Sequence, residues 1–208
     1  VAYYPFNGNA KDATANNYHG FLEGPTSTTN RFGKPNQAIA FDGANDGVSL
    51  PNQVFQGLEA FTFTTWLNLD APNEVQTILS LANKNDANEF WIHFRGKLLT
   101  INVTSKGERS SPSLSTDDFM HHWRQIVVSR EPPSAIINVY VDGVHKSKLA
   151  YTKLDALTVD PGGAWLGQDQ DSLGGTFEAH QALKGQLDDI RIYNRALTEA
   201  EVKALYEF

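Results

Sequence analysis

The chain has 208 residues, with 17 Lys or Arg, 24 Asp or Glu and no cysteine. A chain of this length buries roughly 70% of its surface on folding, so a core can form without disulfides or Cys–zinc crosslinks. The formal net charge of −7 argues against general nucleic-acid binding, and no apolar run approaches the roughly 20 residues of a membrane-spanning helix. We therefore expect no nucleic-acid partner and no membrane insertion. Because the sequence opens on Val1, we expect an excised or mature module.

Most of the chain shows the two-residue periodicity that is typical of β-strands. In 61–67, for example, apolar residues alternate with threonines. Strands are predicted at 61–67, 76–81, 89–94, 98–103, 123–129, 135–141, 164–166 and 187–193. Asp142-Gly143 predicts a type I′ hairpin turn after 135–141. Many short strands separated by turn residues indicate an antiparallel sandwich or barrel.

The end of the chain is the one segment with a clear helical pattern. Thr198 and Glu201 have the spacing of a capping box, and Val202, Leu205 and Tyr206 then share one helical face. We find no linker, repeat or break in composition. We therefore predict a single domain over 1–208 that ends in a short helix.

Three stretches carry a resemblance that covers the chain from end to end. They are the opening (YPFNGNAKD at 4–12 through His19-Gly20), AFDGAND at 40–46 and GQLDDIRIYNRAL at 185–197. Together they resemble bacterial laminin-G-like domains of the concanavalin A-like lectin/glucanase superfamily. The resemblance implies an all-β, two-sheet antiparallel jelly-roll sandwich. It says less about function, because this superfamily contains lectins, enzymes and spacers.

A second resemblance concerns the segment 166–181, LGQDQDSLGGTFEAHQ. It is similar to the calcium loop of pentraxins, in which such residues hold paired calcium ions that in turn bind ligand. The resemblance implies that Asp169, Gln170, Asp171 and Gln181 are calcium ligands. Asp169 stands where the family has Glu.

The same resemblance implies further ligands from an Asp-Asn pair that precedes an early strand. Asn88 matches the Asn, but Ala87 stands at the Asp position, where Asp86 or Asn85 could substitute. The chain also lacks the pentraxin disulfide, and 121–128 replaces the Cys-containing signature. We therefore interpret the chain as a laminin-G-like domain with a pentraxin-like calcium loop.

Calcium takes six to eight oxygen ligands, and a sugar with two neighbouring hydroxyls can replace two bound waters. This chemistry predicts a calcium-dependent glycan site formed by Asn88, Asp169 and Asp171. Trp91 follows Asn88 closely and is a candidate for stacking on the sugar. The segments 108–118 and 131–134 are candidates for shaping specificity. An alternative is that the loop is a solvated turn, or that its ion only stiffens the fold.

A second, structural calcium is implied by the laminin-G resemblance, in which an ion ties the N-terminal segment to the last strand. The candidates are Asn7, Asp12, Asp188 and Asp189. Such an ion would fix chain ends that otherwise fray.

Catalysis is tested by the spacing of carboxylates. The glycan-degrading enzymes of this fold need two acids spaced two apart on a strand. Asp188 and Asp189 are adjacent and are expected to face opposite sides, whereas Asp169 and Asp171 have this spacing but lie in a loop and are better interpreted as calcium ligands. We therefore predict no catalytic residues and no enzymatic activity. The predicted function is calcium-dependent binding of an extracellular or cell-surface glycan, as a monomeric module of a larger secreted protein such as a bacterial adhesin. A calcium-stabilised spacer, a binder of anionic or phosphorylated ligands and a glycan-degrading enzyme remain alternatives.

Overall fold

The computed structural model describes residues 1–70, 74–105, 107–115 and 119–208, with the backbone alone at 86–88 and 105. The strands are β1 (Ala2–Tyr4), β2 (Phe21–Glu23), β3 (Thr26–Thr28), β4 (Ala38–Asp42), β5 (Gly47–Ser49), β6 (Phe61–Leu69), β7 (Gln76–Asn83), β8 (Asp86–Arg95), β9 (Leu98–Ser105), β10 (Glu108–Ser110), β11 (Ser113–Ser115), β12 (Arg124–Arg130), β13 (Ile136–Val141), β14 (Val144–Ala150), β15 (Ala164–Leu166) and β16 (Lys184–Tyr193). The α-helix α1 is Glu199–Glu207, and single 3₁₀ turns lie at Asn52–Val54 and Ala179–Gln181.

The strands form two antiparallel sheets. In the described part of the chain, the first sheet has the order β14-β13-β12-β6-β16-β4-β3, with β1 also paired to β16. The second sheet has the order β10-β9-β8-β7-β15-β5-β2, with β11 also paired to β9. Each sheet combines hairpin neighbours, such as β7-β8-β9, with pairings between strands distant in sequence, such as β6-β16 and β7-β15, as in a jelly roll. The predicted fold class is confirmed.

One hydrophobic core fills the space between the two sheets. Alternate residues of each strand enter it, such as Phe61 and Phe63 from the first sheet and Phe90 and Ile92 from the second. The outer face of the first sheet is covered by α1, where Val202 packs with residues of β12 and β13. On the outer face of the second sheet, the loop that follows β15 contacts Ser80 of β7, and the candidate site lies here.

Two local predictions are confirmed in detail. Asp142 and Gly143 have φ angles of 50° and 72°, as a type I′ turn requires, and they connect β13 to β14. Thr198 accepts from the Glu201 N–H, while the Glu201 side chain accepts from the Thr198 N–H. None of the helices within the described ranges is long and apolar enough to cross a membrane.

Candidate functional site

The loop that follows β15 takes its shape from Gly167. Its φ of 82° is left-handed, and a Cβ there would lie 2.4 Å from the Phe41 ring, so only glycine fits. The Gly167 N–H donates to the Ile78 carbonyl (3.2 Å), and the Leu183 N–H donates to the Gly167 carbonyl (2.9 Å). The loop is thereby fixed between β7 and the segment that precedes β16.

Gln170 is fully buried and holds the loop from within. Its Nε2 donates to the carbonyl of Ser80 (3.2 Å), to the Ser80 Oγ (3.0 Å) and to the carbonyl of Gly163 (3.2 Å). Its Oε1 accepts from the Gly174 N–H (2.9 Å). The Gln170 side chain, implied as a ligand by the resemblance, is thus engaged in shaping the loop.

Asp169 is the buried acid of this loop. Its side chain is 1% exposed, and Oδ1 has no hydrogen-bond partner among the described residues. Burial, with the nearby carboxylate of Asp171, raises the pKa of Asp169 to about 7, although the Gln170 N–H and Arg109 act to lower it. A buried carboxylate in this state is unfavourable unless a cation neutralises it.

The remaining loop residues supply further oxygen atoms. Asp171 and Glu178 are exposed, and both lie close enough to Asp169 for their charges to raise its pKa. Gln181 is half-buried, and its Oε1 is buried without a hydrogen-bond donor among the described groups. The unpartnered oxygens of Asp169 and Gln181 fit a hard cation that binds oxygen, as calcium does. Glu178 was not identified from the sequence, although its position in the same acidic loop was an available signal.

The other candidate ligands are less well defined. Asp86 and Asn88 belong to β8, and at these two positions the structure describes the backbone alone. Within the described ranges, no three His, Asp or Glu side chains form a ready-made metal cluster. A cation at the loop would therefore depend on amide, backbone or water oxygens as well as on carboxylates.

Beside the loop, the outer face of the second sheet contains a concavity of about 390 Å³, here called the Trp91 groove. It is lined by Trp91, His93, Arg95, Thr100, Asn102 and Arg109. Trp91 lies opposite Ser80 in the β7–β8 pairing, and Ser80 is the residue that anchors Gln170. Since adjacent strands are about 5 Å apart, the groove and the acidic loop are neighbours.

Trp91, predicted to bind ligand, is only 6% exposed. It stacks on His93, with ring centroids 3.8 Å apart, and its Nε1 donates to Thr77 Oγ1 (3.1 Å). The Arg109 guanidinium lies 5.8 Å from the Trp91 ring centroid. Trp91 thus forms the floor of the groove, and little of its ring is exposed for stacking on a ligand. The sequence reasoning did not identify His93, although the outward register of 91, 93 and 95 in β8 was a signal for it. Arg109 was covered only as part of the segment 108–118 that was predicted to shape specificity.

The residues proposed for a structural calcium have other partners. Asp12 is buried and accepts from the N–H groups of Tyr3 (3.0 Å), Thr14 (2.8 Å) and Tyr18 (3.0 Å). Although burial acts to raise it, these hydrogen bonds lower the pKa of Asp12. Asn7 is exposed, and its carbonyl accepts from Asn9 Nδ2. Both residues therefore have partners within the protein, and their role as calcium ligands stays a prediction.

Asp188 and Asp189 share a guanidinium group instead. Arg31 Nη1 lies 2.9 Å from Asp188 Oδ2 and 2.7 Å from Asp189 Oδ2. The expectation that these acids face opposite sides is wrong, because β16 has an irregularity here and Asp189 has a φ of 50°. Arg31 thus supplies a positive charge at these two acids, and a structural calcium here stays a prediction.

Comparison with known protein families identifies the architecture. The family model described as the concanavalin A-like lectin/glucanases superfamily matches residues 42–203. The chain is 31% identical to C-reactive protein of Cavia porcellus over 171 residues, covering 78% of this chain and 71% of that protein. It is 30% identical to C-reactive protein of Rattus norvegicus over 175 residues, covering 82% and 73%.

Solved structures share the fold at low sequence identity. Domain 4 of AbnA, a GH43 extracellular arabinanase from Geobacillus stearothermophilus in complex with arabinotriose, superposes with a TM-score of 0.75 at 20% identity, covering 99% of this chain and 97% of that domain. The heptameric SAP-like pentraxin from Limulus polyphemus gives 0.59 at 21% identity, covering 80% and 84%. The botulinum neurotoxin serotype D binding domain gives 0.75 at 13% identity, and this chain spans about half of that chain (51%).

Proposed function

The chain belongs to the concanavalin A-like lectin/glucanase superfamily, as a laminin-G-like domain related to the pentraxins, and from this premise we propose that it binds glycans through calcium. Residues 1–208 are proposed to form one domain, acting as a non-enzymatic module of a larger extracellular protein such as a bacterial adhesin.

The observation that carries the proposal is the state of Asp169. A nearly fully buried carboxyl, one oxygen of which has no partner among the described residues, is unfavourable next to two further acids in the metal-free protein. The unpartnered Oε1 of Gln181 on the same loop adds a neutral oxygen. This donor set suits a calcium ion.

In the proposed mechanism, Asp169, Asp171 and Gln181 hold the ion, joined by Glu178 and by Asn88 with Asp86. When bound, calcium supplies open coordination positions that neighbouring sugar hydroxyls can fill. Gln170 keeps the loop in shape through its four hydrogen bonds. The floor of the Trp91 groove lies alongside, so a sugar on the ion would extend over it.

The ligand of one structural neighbour supports this proposal. One structural neighbour was solved with arabinotriose, so the same sandwich accommodates a bound glycan. The family match also includes glucanases, but the acids Asp188 and Asp189 are paired with Arg31. Binding without catalysis is therefore the function that the geometry favours.

The proposal is tested on a glycan array read in calcium and again in EDTA, with wild type and the variant Asp169→Ala/Asp171→Ala. We expect binding in calcium that is lost in EDTA and in the variant, while circular dichroism shows an intact sandwich. The matched control is Asp42→Ala/Asp160→Ala, which removes two acids outside the loop. Glycan binding that is unchanged by EDTA would contradict the proposal. No binding, together with a large calcium-dependent rise in Tm, would instead support a structural spacer.

A further inference from the structure

The Trp91 groove has the size and the chemistry of a binding site of its own. Its volume of about 390 Å³ falls within the range of small-molecule sites, roughly 300–1,000 Å³. Its floor is formed by the stacked rings of Trp91 and His93, and Asn102 lies directly opposite Trp91 in the β8–β9 pairing. The groove is therefore built on rigid strand positions rather than on a loop.

Two buried polar atoms of the groove have no partner. His93 is 4% exposed and Asn102 is 5% exposed, and neither His93 Nδ1 nor Asn102 Oδ1 has a hydrogen-bond partner among the described residues. Buried polar groups of this kind normally have partners, so their absence points to a ligand or to water. Asn102 Oδ1 accepts hydrogen bonds only, so it fits a hydroxyl or an amide donor.

The charge of the groove is positive. Arg95 and Arg109 line it and are exposed, and the lining contains no Asp or Glu within the described part of the chain. Burial, together with the charges of Arg95 and Arg109, lowers the pKa of His93 to about 4, so the imidazole is neutral at physiological pH. The two guanidinium groups are therefore the charged donors that a ligand meets.

Arg109 also connects the groove to the acidic loop. Its guanidinium lies 5.8 Å from the Trp91 ring centroid, and it is close enough to His93 and Asp169 for its charge to act to lower the pKa of both. If the charge of Asp169 is neutralised by calcium, Arg109 keeps its full attraction for an anion in the groove. A guanidinium binds carboxylate and sulfate oxygens in a bidentate manner.

We propose that the site selects acidic glycans: a carboxylate or sulfate ester of the sugar chain pairs with Arg109 and Arg95, while a neighbouring hydroxyl donates to Asn102 Oδ1. This inference rests on the proposed calcium-dependent glycan binding and names its substrate class. The acidic group binds at the arginines and not at the ion. The class follows from two cations and one unpartnered acceptor in the same concavity.

The experiment compares acidic probes with their neutral counterparts at physiological ionic strength. The probes are oligogalacturonides with their methyl esters, and sulfated galactan oligosaccharides with their desulfated forms, all within a wider array of neutral glycans. The groove variant is Arg95→Gln/Arg109→Gln. The matched control is Lys146→Gln/Lys148→Gln, which removes the same charge from exposed positions of β14 at the edge of the other sheet.

We expect wild type to bind an acidic probe more tightly than its neutral counterpart. Comparison of the uronate probes with the sulfated probes identifies which acidic group the site binds. The groove variant should lose roughly 10- to 100-fold in affinity for the acidic probe, the value of a charge-assisted hydrogen bond. The lysine variant should stay close to wild type, because exposed charges beyond about 10 Å are largely screened.

The outcomes separate this inference from the proposed function. Calcium-dependent binding of neutral glycans that the groove variant leaves unchanged would overturn the acidic-glycan inference and keep the proposed function. Acidic binding that persists in EDTA but is lost in the groove variant would keep the inference and overturn the calcium mechanism. No glycan bound under any condition would overturn both.

Discussion

The buried carboxyl of Asp169 lowers the stability of the metal-free fold, and the same carboxyl is the proposed calcium ligand. Burial raises its pKa to about 7 from an ordinary value of 3.8, and the neighbouring Asp171 adds to the shift. The metal-free folded state therefore binds this proton more tightly than the unfolded state does. It follows that the free energy of unfolding decreases as pH rises through the range of about 4 to 7.

The variant Asp169→Asn removes the ionisable group and should reverse this effect. In EDTA at pH 8 we expect it to be more stable than wild type by about 1 to 3 kcal/mol, while its Tm no longer responds to calcium. Thermal melting at pH 5 and at pH 8, with and without calcium, measures both effects. Asp171→Asn is the control, because Asp171 is exposed and should change stability less. A variant that is less stable than wild type in EDTA at pH 8 would contradict the buried-charge account.

At the scale of elements, the 167–171 loop depends on one buried amide. Gln170 hydrogen-bonds to Ser80 of β7, to the Gly163 carbonyl before the loop and to the Gly174 N–H after it. Loss of its amide therefore leaves several buried polar groups without this partner. Glycine at 167 is required by the left-handed φ and by the ring of Phe41. The loop is thus held by a few specific residues rather than by apolar packing.

Gln170→Leu should destabilise the protein by about 2 to 4 kcal/mol, since each unsatisfied buried group costs about 1 to 3 kcal/mol. It should also weaken calcium binding without removing an acid. Urea unfolding and a calcium titration measure the two effects. Gln168→Leu is a matched control, because Gln168 is also buried but its side chain makes one hydrogen bond among the described residues, to the Asp46 carbonyl (3.0 Å). Equal losses in the two variants would refute a special role for Gln170.

For the whole molecule, the Arg31 network joins the two ends of the chain. Arg31 pairs with Asp188 and Asp189 on the last strand, and Tyr3 Oη donates to Asp189 Oδ1 (2.5 Å). Arg31 also packs over the Trp66 ring, at 4.6 Å. Burial and Asp189 raise the pKa of Asp188 to about 7 even with Arg31 present, so the pair depends on this cation.

Arg31→Gln should destabilise the protein by about 3 kcal/mol, because it leaves the buried Asp188 carboxylate without its cation, whereas Asp189 keeps Arg191 at 3.6 Å. For a chain of this size the Tm should fall by roughly 6 to 12 °C. Lys203→Gln, which removes an exposed pair with Glu207, should change stability by less than about 1 kcal/mol. Calorimetry in EDTA provides the comparison. A Tm for Arg31→Gln that equals that of Lys203→Gln would contradict the role of the network.

The long strands, the hairpin turn and the helix cap were predictable because each depends on neighbours in the sequence. The pattern of 61–67 and the Thr198–Glu201 spacing needed no tertiary information. Several three-residue strands, such as β2 and β10, were missed because so short a run shows no periodicity, although β15 was predicted. The acidic loop was found through family resemblance, not through periodicity.

The sequence by itself determined the β-sandwich class, the C-terminal helix and the acidic composition of the 166–181 loop. Only the tertiary structure decided which polar groups are buried without partners and which cation each acid meets. It brought Arg31 to Asp188 across 157 residues, and it placed Arg109 near both His93 and Asp169. The physical reason is that burial and long-range charge depend on strand order and register, which no local pattern encodes.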